Sequence, residues 1–342
     1  MIIFVNASNI HTGGGKVILN DFISATKYFD QINFKIYVDS RYNSTEFERK
    51  NVSFNITKKK QRFLVCFEIE KQTHNDDIVI YLTNIPPIIR HKCKTVLVQS
   101  NRFVIDYFSL SGFSIVTKIR LYAEKFLFFI NKNKIDYIIV QSDSMSSVLQ
   151  NKGINKNKIF ITAYKKIDEE ENTKNLNYQR QNNTFLYVSS DDPHKNHKKL
   201  IEAWCLLSEE NIFPKLILTI DKNTSLHSSI IKKVEKNGLN IDIIPNLERR
   251  KILNLYKQST ALIFPSFFES YGLPLVEANH YKLPVIASEL DFVRDILDPV
   301  ETFDPKSAKS IARSVKRFLK IKDKKTKIAK PEEFIEDVII KL

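Results

Sequence analysis

Two acids stand eight positions apart in the stretch F-P-S-F-F-E-S-Y-G-L-P-L-V-E-A, residues 264–278: Glu269 and Glu277. The apolar run Leu262 to Phe264 stops at Pro265, Pro274 suits the first turn of a helix, and Pro284 follows that helix's end. The stretch through Leu290 therefore reads as strand, loop, helix, strand, with Glu269 in the loop and Glu277 in the helix behind it. Loops at the carboxyl ends of strands are where open α/β sheets bind ligands. There Gly272 allows close backbone approach, and the free amides of the next helix face an anion. Two carboxylates would face the same crevice from different depths.

With its glycine, prolines and both acids in place, this segment resembles the E-x7-E signature of the retaining GT-B glycosyltransferases of family 4, glycosyl transferases group 1. The resemblance implies that Glu269 contacts the donor sugar near its anomeric centre and that Glu277 accepts hydrogen bonds from the nucleotide ribose. It implies that amides around Tyr271, Gly272 and Leu273 bind the sugar or its diphosphate. An isolated glutamate in the place of Glu277 would instead be read as solvating a surface helix.

The elements that must position these groups fill a chain of 342 residues, long enough for two domains of ordinary size. A hydrophobic content of 43% is that of a globular protein, and the net charge of +14 favours anionic partners. Nucleotide diphosphates and anionic lipid headgroups fit that charge, whereas no aromatic and basic nucleic-acid module is present. Cys66, Cys93 and Cys205 are scattered, without metal-site spacing, as expected of buried thiols in a reducing cytoplasm. The chain opens on an apolar strand rather than a signal peptide, and no apolar run approaches the roughly 18 residues of a membrane span.

The first half begins with the strand Ile2 to Val5 and then Gly13-Gly14-Gly15-Lys16, a strand, glycine turn and helix that suit a phosphate. A P-loop would need Gly at Ile10 and Ser or Thr at Val17, and a dinucleotide fingerprint would need Gly at Ile18. What remains resembles the GT-B glycine loop, which implies that Gly14 and Gly15 face the donor diphosphate. Further strands are expected at Phe34 to Val38, Ile78 to Leu82, Thr95 to Val98 and Tyr137 to Val140. Asn84, Gln99 and Asn101, at the ends of two of them, should line the acceptor and sugar side of the cleft. Relatives carry a histidine near there; here its role is unassigned, and His91, lying before the strand, reads as a surface residue. Residues Ile115 to Lys134 form a helix in which Ile115, Ile119, Tyr122, Phe126 and Phe129 recur at helical spacing, among five basic residues. The plain reading packs that stripe on the sheet; the sharper one rests it on anionic lipid.

Polar residues 166–183 read as a linker, and Phe185 to Val188 as the first strand of a second Rossmann-like domain. The loop after it, S-S-D-D-P-H-K-N-H-K-K from Ser189, carries His194 and His197, but lysines are poor company for a metal cation and a phosphate fits better. Relatives have an arginine and, six residues on, a lysine that neutralise the donor diphosphate. Lys195 matches the lysine, Ser189 replaces the arginine, and Lys198 is the alternative cation. Asn246 and Leu247 fall where relatives hold the nucleotide base.

The expected fold is α/β, GT-B: two Rossmann-like domains with parallel sheets facing across a cleft. Residues 1–165 form the acceptor-side domain, 184–325 the nucleotide-sugar domain, and 326–342 a tail or helix crossing back to the first. The expected activity is a retaining, hexosyltransferase-type transfer from a nucleotide sugar to a hydroxyl of a saccharide or a polyprenyl-diphosphate-linked acceptor. The setting is bacterial surface polysaccharide (O-antigen, capsule, lipopolysaccharide) synthesis, in the cytoplasm or peripherally on the inner face of the membrane. No Asp-x-Asp is present, so no metal and no other cofactor is expected. The alternative is a catalytically silent GT-B protein that binds a nucleotide sugar or acts as a scaffold. A non-hydrolysing epimerase would need cleft histidines that the sequence does not place.

Overall fold

The computed structural model describes residues 1–11, 13–43, 47, 49–163, 179–245, 247–323 and 330–341. Two sheets, all of whose pairings are parallel, account for the architecture. The first contains β1 (Ile2–Ala7), β2 (Asn33–Asp39), β3 (Val52–Thr57), β4 (Ile78–Tyr81), β5 (Lys94–Val98), β6 (Tyr137–Val140) and β7 (Ile159–Ile161), in the order β3-β2-β1-β4-β5-β6-β7. The second contains β8 (Thr184–Tyr187), β9 (Lys215–Leu218), β10 (Ile241–Ile243), β11 (Ala261–Phe264), β12 (Val285–Ser288) and β13 (Glu301–Phe303), in the order β10-β9-β8-β11-β12-β13. Each sheet thus reverses direction once, between β1 and β4 and between β8 and β11. At such a switch point neighbouring loops diverge and leave a crevice.

The central strands are covered on both faces. Every residue of β8, β11 and β12 is buried, which is why those segments read as continuous apolar runs rather than alternating ones. On the helix His197–Glu209, Trp204 packs edge-on against Phe185 at 5.7 Å, and its indole N–H donates to the Pro214 carbonyl at 2.9 Å. The sheet expectations hold to within two residues at either end at nine strands, the seven named above and those expected at Leu216 to Ile220 and Asp242 to Pro245; β3 and β7, on the edges of the first sheet, and β13, on an edge of the second, were not foreseen.

The two domains meet through the carboxyl ends of their strands. The Arg102 amide, after β5, donates to Ser270 Oγ, after β11, at 2.8 Å. The Ser144 amide, after β6, donates to Asp295 Oδ2, after β12, at 3.1 Å. Phe103 and Phe108 from the first domain both lie 4.7 Å from the ring of Phe268, and Phe103 and Phe113 enclose His194 at 5.1 and 6.0 Å. Because every one of these contacts comes from a strand's carboxyl end, the two switch-point crevices open toward each other. Most of the expected linker, residues 166–178, lies outside the described residues.

One helix departs from expectation. The helix Ile115–Asn131 forms, but it buries Leu121, Phe128 and Asn131, while Ile115, Ile119, Tyr122, Phe126 and Phe129 all point outward. Ile119 is 64% exposed and Phe126 63%, so the stripe expected on the sheet is on the surface. The helix is apolar on two faces, and periodicity alone does not say which one packs.

Candidate active site

The loop after β11 turns on Gly272, whose φ of +71° lies in the left-handed region. A Cβ there would also stand 3.1 Å from Leu275 Cδ1, so this position favours glycine on both counts. The turn delivers the chain into the helix Leu273–His280, with Pro274 in its first turn and Glu277 on its buried side.

Glu269, three residues before Gly272, accepts from Lys195 Nζ at 2.6 Å, and the two side chains are 10% and 16% exposed. The loop after β8 that carries Lys195 is fixed by its neighbours. Asn196 adopts a left-handed backbone conformation, and its side-chain amide donates to the carbonyls of Pro265 at 3.0 Å and Pro305 at 2.8 Å. The buried Tyr187 hydroxyl donates to the Lys195 carbonyl at 2.7 Å and contacts Ser266 Oγ at 3.0 Å. The Phe267 amide donates to the His194 carbonyl at 2.9 Å. Lys195 and Glu269 are therefore held together by two interlocked loops rather than by their own charges alone.

Neither histidine of this loop adds a positive charge at neutral pH. Burial, and then the neighbouring Lys195 charge, bring His194 down to about 4 against an opposing pull from Glu269, and the same two causes bring His197 to about 4. His197 Nε2 lies 2.8 Å from the Ser190 carbonyl and 3.2 Å from Ser189 Oγ, so Ser189 is tied to its own domain. Lys198 is exposed in the first turn of its helix. Among the described residues no group of three or more His, Cys, Asp or Glu is arranged to hold a metal.

Glu277 is 8% exposed, and its Oε1 accepts from Arg249 Nη1 at 3.1 Å. Arg249 begins the helix Arg249–Gln258, and nothing in the local sequence pairs it with an acid 28 positions away. Beneath them the fully buried Tyr256 hydroxyl is pushed up by burial and by the Glu277 carboxylate.

Facing this loop from the first domain, Gly13 to Gly15 form the first turn of the helix Gly13–Ala25, not a loop ahead of it. A Cβ at Gly14 would sit 3.8 Å from Leu273 Cδ1, so the amino ends of two helices, Gly13–Ala25 and Leu273–His280, oppose each other across the crevice. Such ends concentrate free N–H groups and partial positive charge.

The acceptor-side trio is occupied by local bonds. Asn84, itself left-handed, accepts from the Ser100 amide at 2.6 Å and hydroxyl at 3.0 Å; buried Gln99 donates to the Asn101 carbonyl at 2.8 Å; Asn101 caps the helix Arg102–Ile105 by accepting from Phe103. His91 is not a surface residue. It is buried, stacked on Tyr81, with Nε2 2.7 Å from the Tyr81 hydroxyl and Nδ1 2.9 Å from Glu70 Oε2. Leu247 is half-buried, and Asn246 lies outside the described residues.

The architecture is GT-B. TarM superposes with a TM-score of 0.69 over 93% of this chain and 91% of its own at 12% identity. HepE of Anabaena, solved with UDP and glucose, superposes with a TM-score of 0.63 over 93% and 89% at 15% identity. The family model for glycosyl transferases group 1 matches residues 168–333, so the second domain is a group 1 glycosyltransferase domain. The serotype-specific mannosyltransferase WbdA of Escherichia coli is 29% identical over 144 residues, which make up 40% of this chain and 17% of that relative.

Proposed function

We propose that the protein is a retaining glycosyltransferase that moves a hexosyl group from a nucleotide sugar to a hydroxyl of a saccharide or lipid-linked saccharide, in the assembly of a bacterial surface polysaccharide. The observation that carries this reading is the Lys195–Glu269 pair beside two opposed helix amino ends. In the transfer the bond between the anomeric carbon and the diphosphate oxygen breaks, and a bond to the acceptor oxygen forms. The acceptor's proton goes to the departing nucleoside diphosphate, whose growing charge is the main thing to stabilise. Lys195 and the amides at Gly14, Gly15, Gly272 and Leu273 supply that stabilisation. Glu269 positions the sugar hydroxyls. Glu277, oriented by Arg249, accepts from the ribose. Leu247 and Asn246 border the base, and Asn84, Gln99 and Asn101 shape the acceptor side.

Stabilisation by these groups requires no metal, so turnover should survive EDTA. The names of the E. coli relatives, serotype-specific and O-antigen chain mannosyltransferases, make a mannosyl donor the first to try. The outward apolar stripe of the helix Ile115–Asn131, with lysines and Arg120 beside it, suits a protein that rests on an anionic membrane surface.

The silent-scaffold reading draws on Ser189, which stands where relatives carry a cation and is tied to His197. Glu269→Gln separates the two. Donor bound with turnover lost supports the transferase; a wild type that binds a donor but neither transfers nor hydrolyses it supports the scaffold.

A further inference from the structure

Behind the interdomain contact lies a second cavity, of about 390 Å³, within the roughly 300–1,000 Å³ typical of ligand sites. Val104, Ile105 and Phe128 line it and are all nearly fully buried, while Phe126 and Phe129, both exposed on the helix Ile115–Asn131, line it too. Tyr122 and three lysines, Lys125, Lys132 and Lys152, complete the lining. Among the described residues none of these lysines forms an ion pair: Lys125 Nζ donates to the Asp106 carbonyl at 2.6 Å and Lys132 Nζ to the Lys152 carbonyl at 2.7 Å. Burial, and then the charge of Lys152, lower the pKa of Lys125 against an opposing pull from Asp106, whose carboxylate is paired with Arg102 at 2.8 Å rather than with a lysine.

An apolar cavity whose polar lining is positive asks for an amphiphile with a negative head. We propose that this cavity holds one chain of a phosphorylated lipid, with the hydrocarbon among Val104, Ile105, Phe126 and Phe129 and the phosphate on Lys125, Lys132 and Lys152. A soluble anion would have no use for the apolar floor, and a neutral hydrocarbon none for the lysines.

The place of the cavity connects it to the active site. In the four-residue helix Arg102–Ile105, Arg102 and Phe103 contact Ser270 and Phe268 of the second domain, whereas Val104 and Ile105 line the cavity. A lipid held here has its hydrocarbon against Val104 and Ile105, on the same short helix whose Arg102 and Phe103 meet the loop that carries Glu269. The inference rests on the transferase reading in one respect, that the lipid is the carrier of the acceptor; the binding site itself stands without it.

The test is calorimetric titration of the full chain with farnesyl phosphate below its aggregation concentration, beside farnesol and inorganic phosphate. The expected result is one equivalent of farnesyl phosphate bound at least about tenfold more tightly than either control. In Lys132→Glu/Lys152→Glu, and separately in Phe129→Ser, whose side chain is exposed, affinity should fall at least about tenfold with the thermal midpoint unchanged. Equal binding by wild type and the charge-reversed variant would overturn the proposal, as would farnesol or phosphate matching farnesyl phosphate. A dimer formed through this face that the lipid does not dissociate would overturn it too. Nucleotide-sugar binding measured on the same samples keeps the two readings apart: lipid binding without donor binding defeats the transferase, and donor binding without lipid binding defeats only the pocket.

Discussion

In the proposed reading Glu269 and Glu277 carry separable duties, and substitution should show it. Glu269→Gln keeps a side chain of the same shape but loses the charge held by Lys195, so turnover should fall about 100- to 1,000-fold while donor affinity changes little. Single-turnover transfer and equilibrium donor titration check this. Glu277→Ala removes a buried carboxylate from Arg249 and, in this account, from the ribose; a lost charged hydrogen bond of about 1.5–3 kcal/mol predicts donor binding about 10- to 100-fold weaker. The placement of both acids, Glu269 on the loop and Glu277 on the helix behind it, was legible in the sequence because the local spacing of prolines and glycine around them admits few alternatives. Arg249 was not, because its pairing with Glu277 is made by tertiary packing between two helices. His91 was misread for a related reason: its partners Glu70 and Tyr81 come from separate elements, and nothing next to it in the chain signals burial.

At the scale of elements, the two loops and the two helix ends make the site. Gly272→Ala forces a Cβ into a left-handed turn against Leu275 and should cost about 1–2 kcal/mol of stability as well as displacing the amides proposed to meet the donor. Gly14→Ala should act differently. It meets no clash and favours the helix, so thermal stability should hold or rise while donor binding weakens, a split readable by melting with and without nucleotide sugar. The loop after β8 also predicts a pH dependence. His197 is buried neutral with its folded pKa at about 4, below the ordinary 6.5, so the unfolded chain binds the proton first as pH falls. Its contribution is complete above about pH 6.5, is lost progressively toward pH 4, and is on the order of 3 kcal/mol. Urea midpoints measured across that window should decline, and less so in His197→Asn. Strand positions were legible because buried parallel strands are short apolar runs. The outward face of the helix Ile115–Asn131 was not, since a helix apolar on two sides leaves the choice to its neighbours.

Over the whole molecule, the two parallel sheets bring together at one crevice what the chain separates by some 260 residues, Gly14 beside Leu273. Phe268, which Phe103 and Phe108 contact, is next to Glu269 in the chain, so this contact holds the first domain against the loop that carries Glu269. Phe268→Ala should loosen that contact, enlarge the radius of gyration in small-angle scattering without donor, and lower turnover more than donor affinity. The two-domain organisation was legible from the second strand-and-loop set beginning at Thr184, whereas the domains' meeting surface depends on side chains that the sequence scatters over several loops. The most direct test of the account is thermal melting of wild type and Glu277→Ala against UDP-, GDP- and ADP-sugars, a mannosyl donor among them, with EDTA present. The account predicts that one donor raises the wild-type midpoint and leaves the variant's unmoved. If no nucleotide sugar shifts the wild type, or if the variant responds equally, the donor site assigned to Lys195, Glu269 and Glu277 is contradicted.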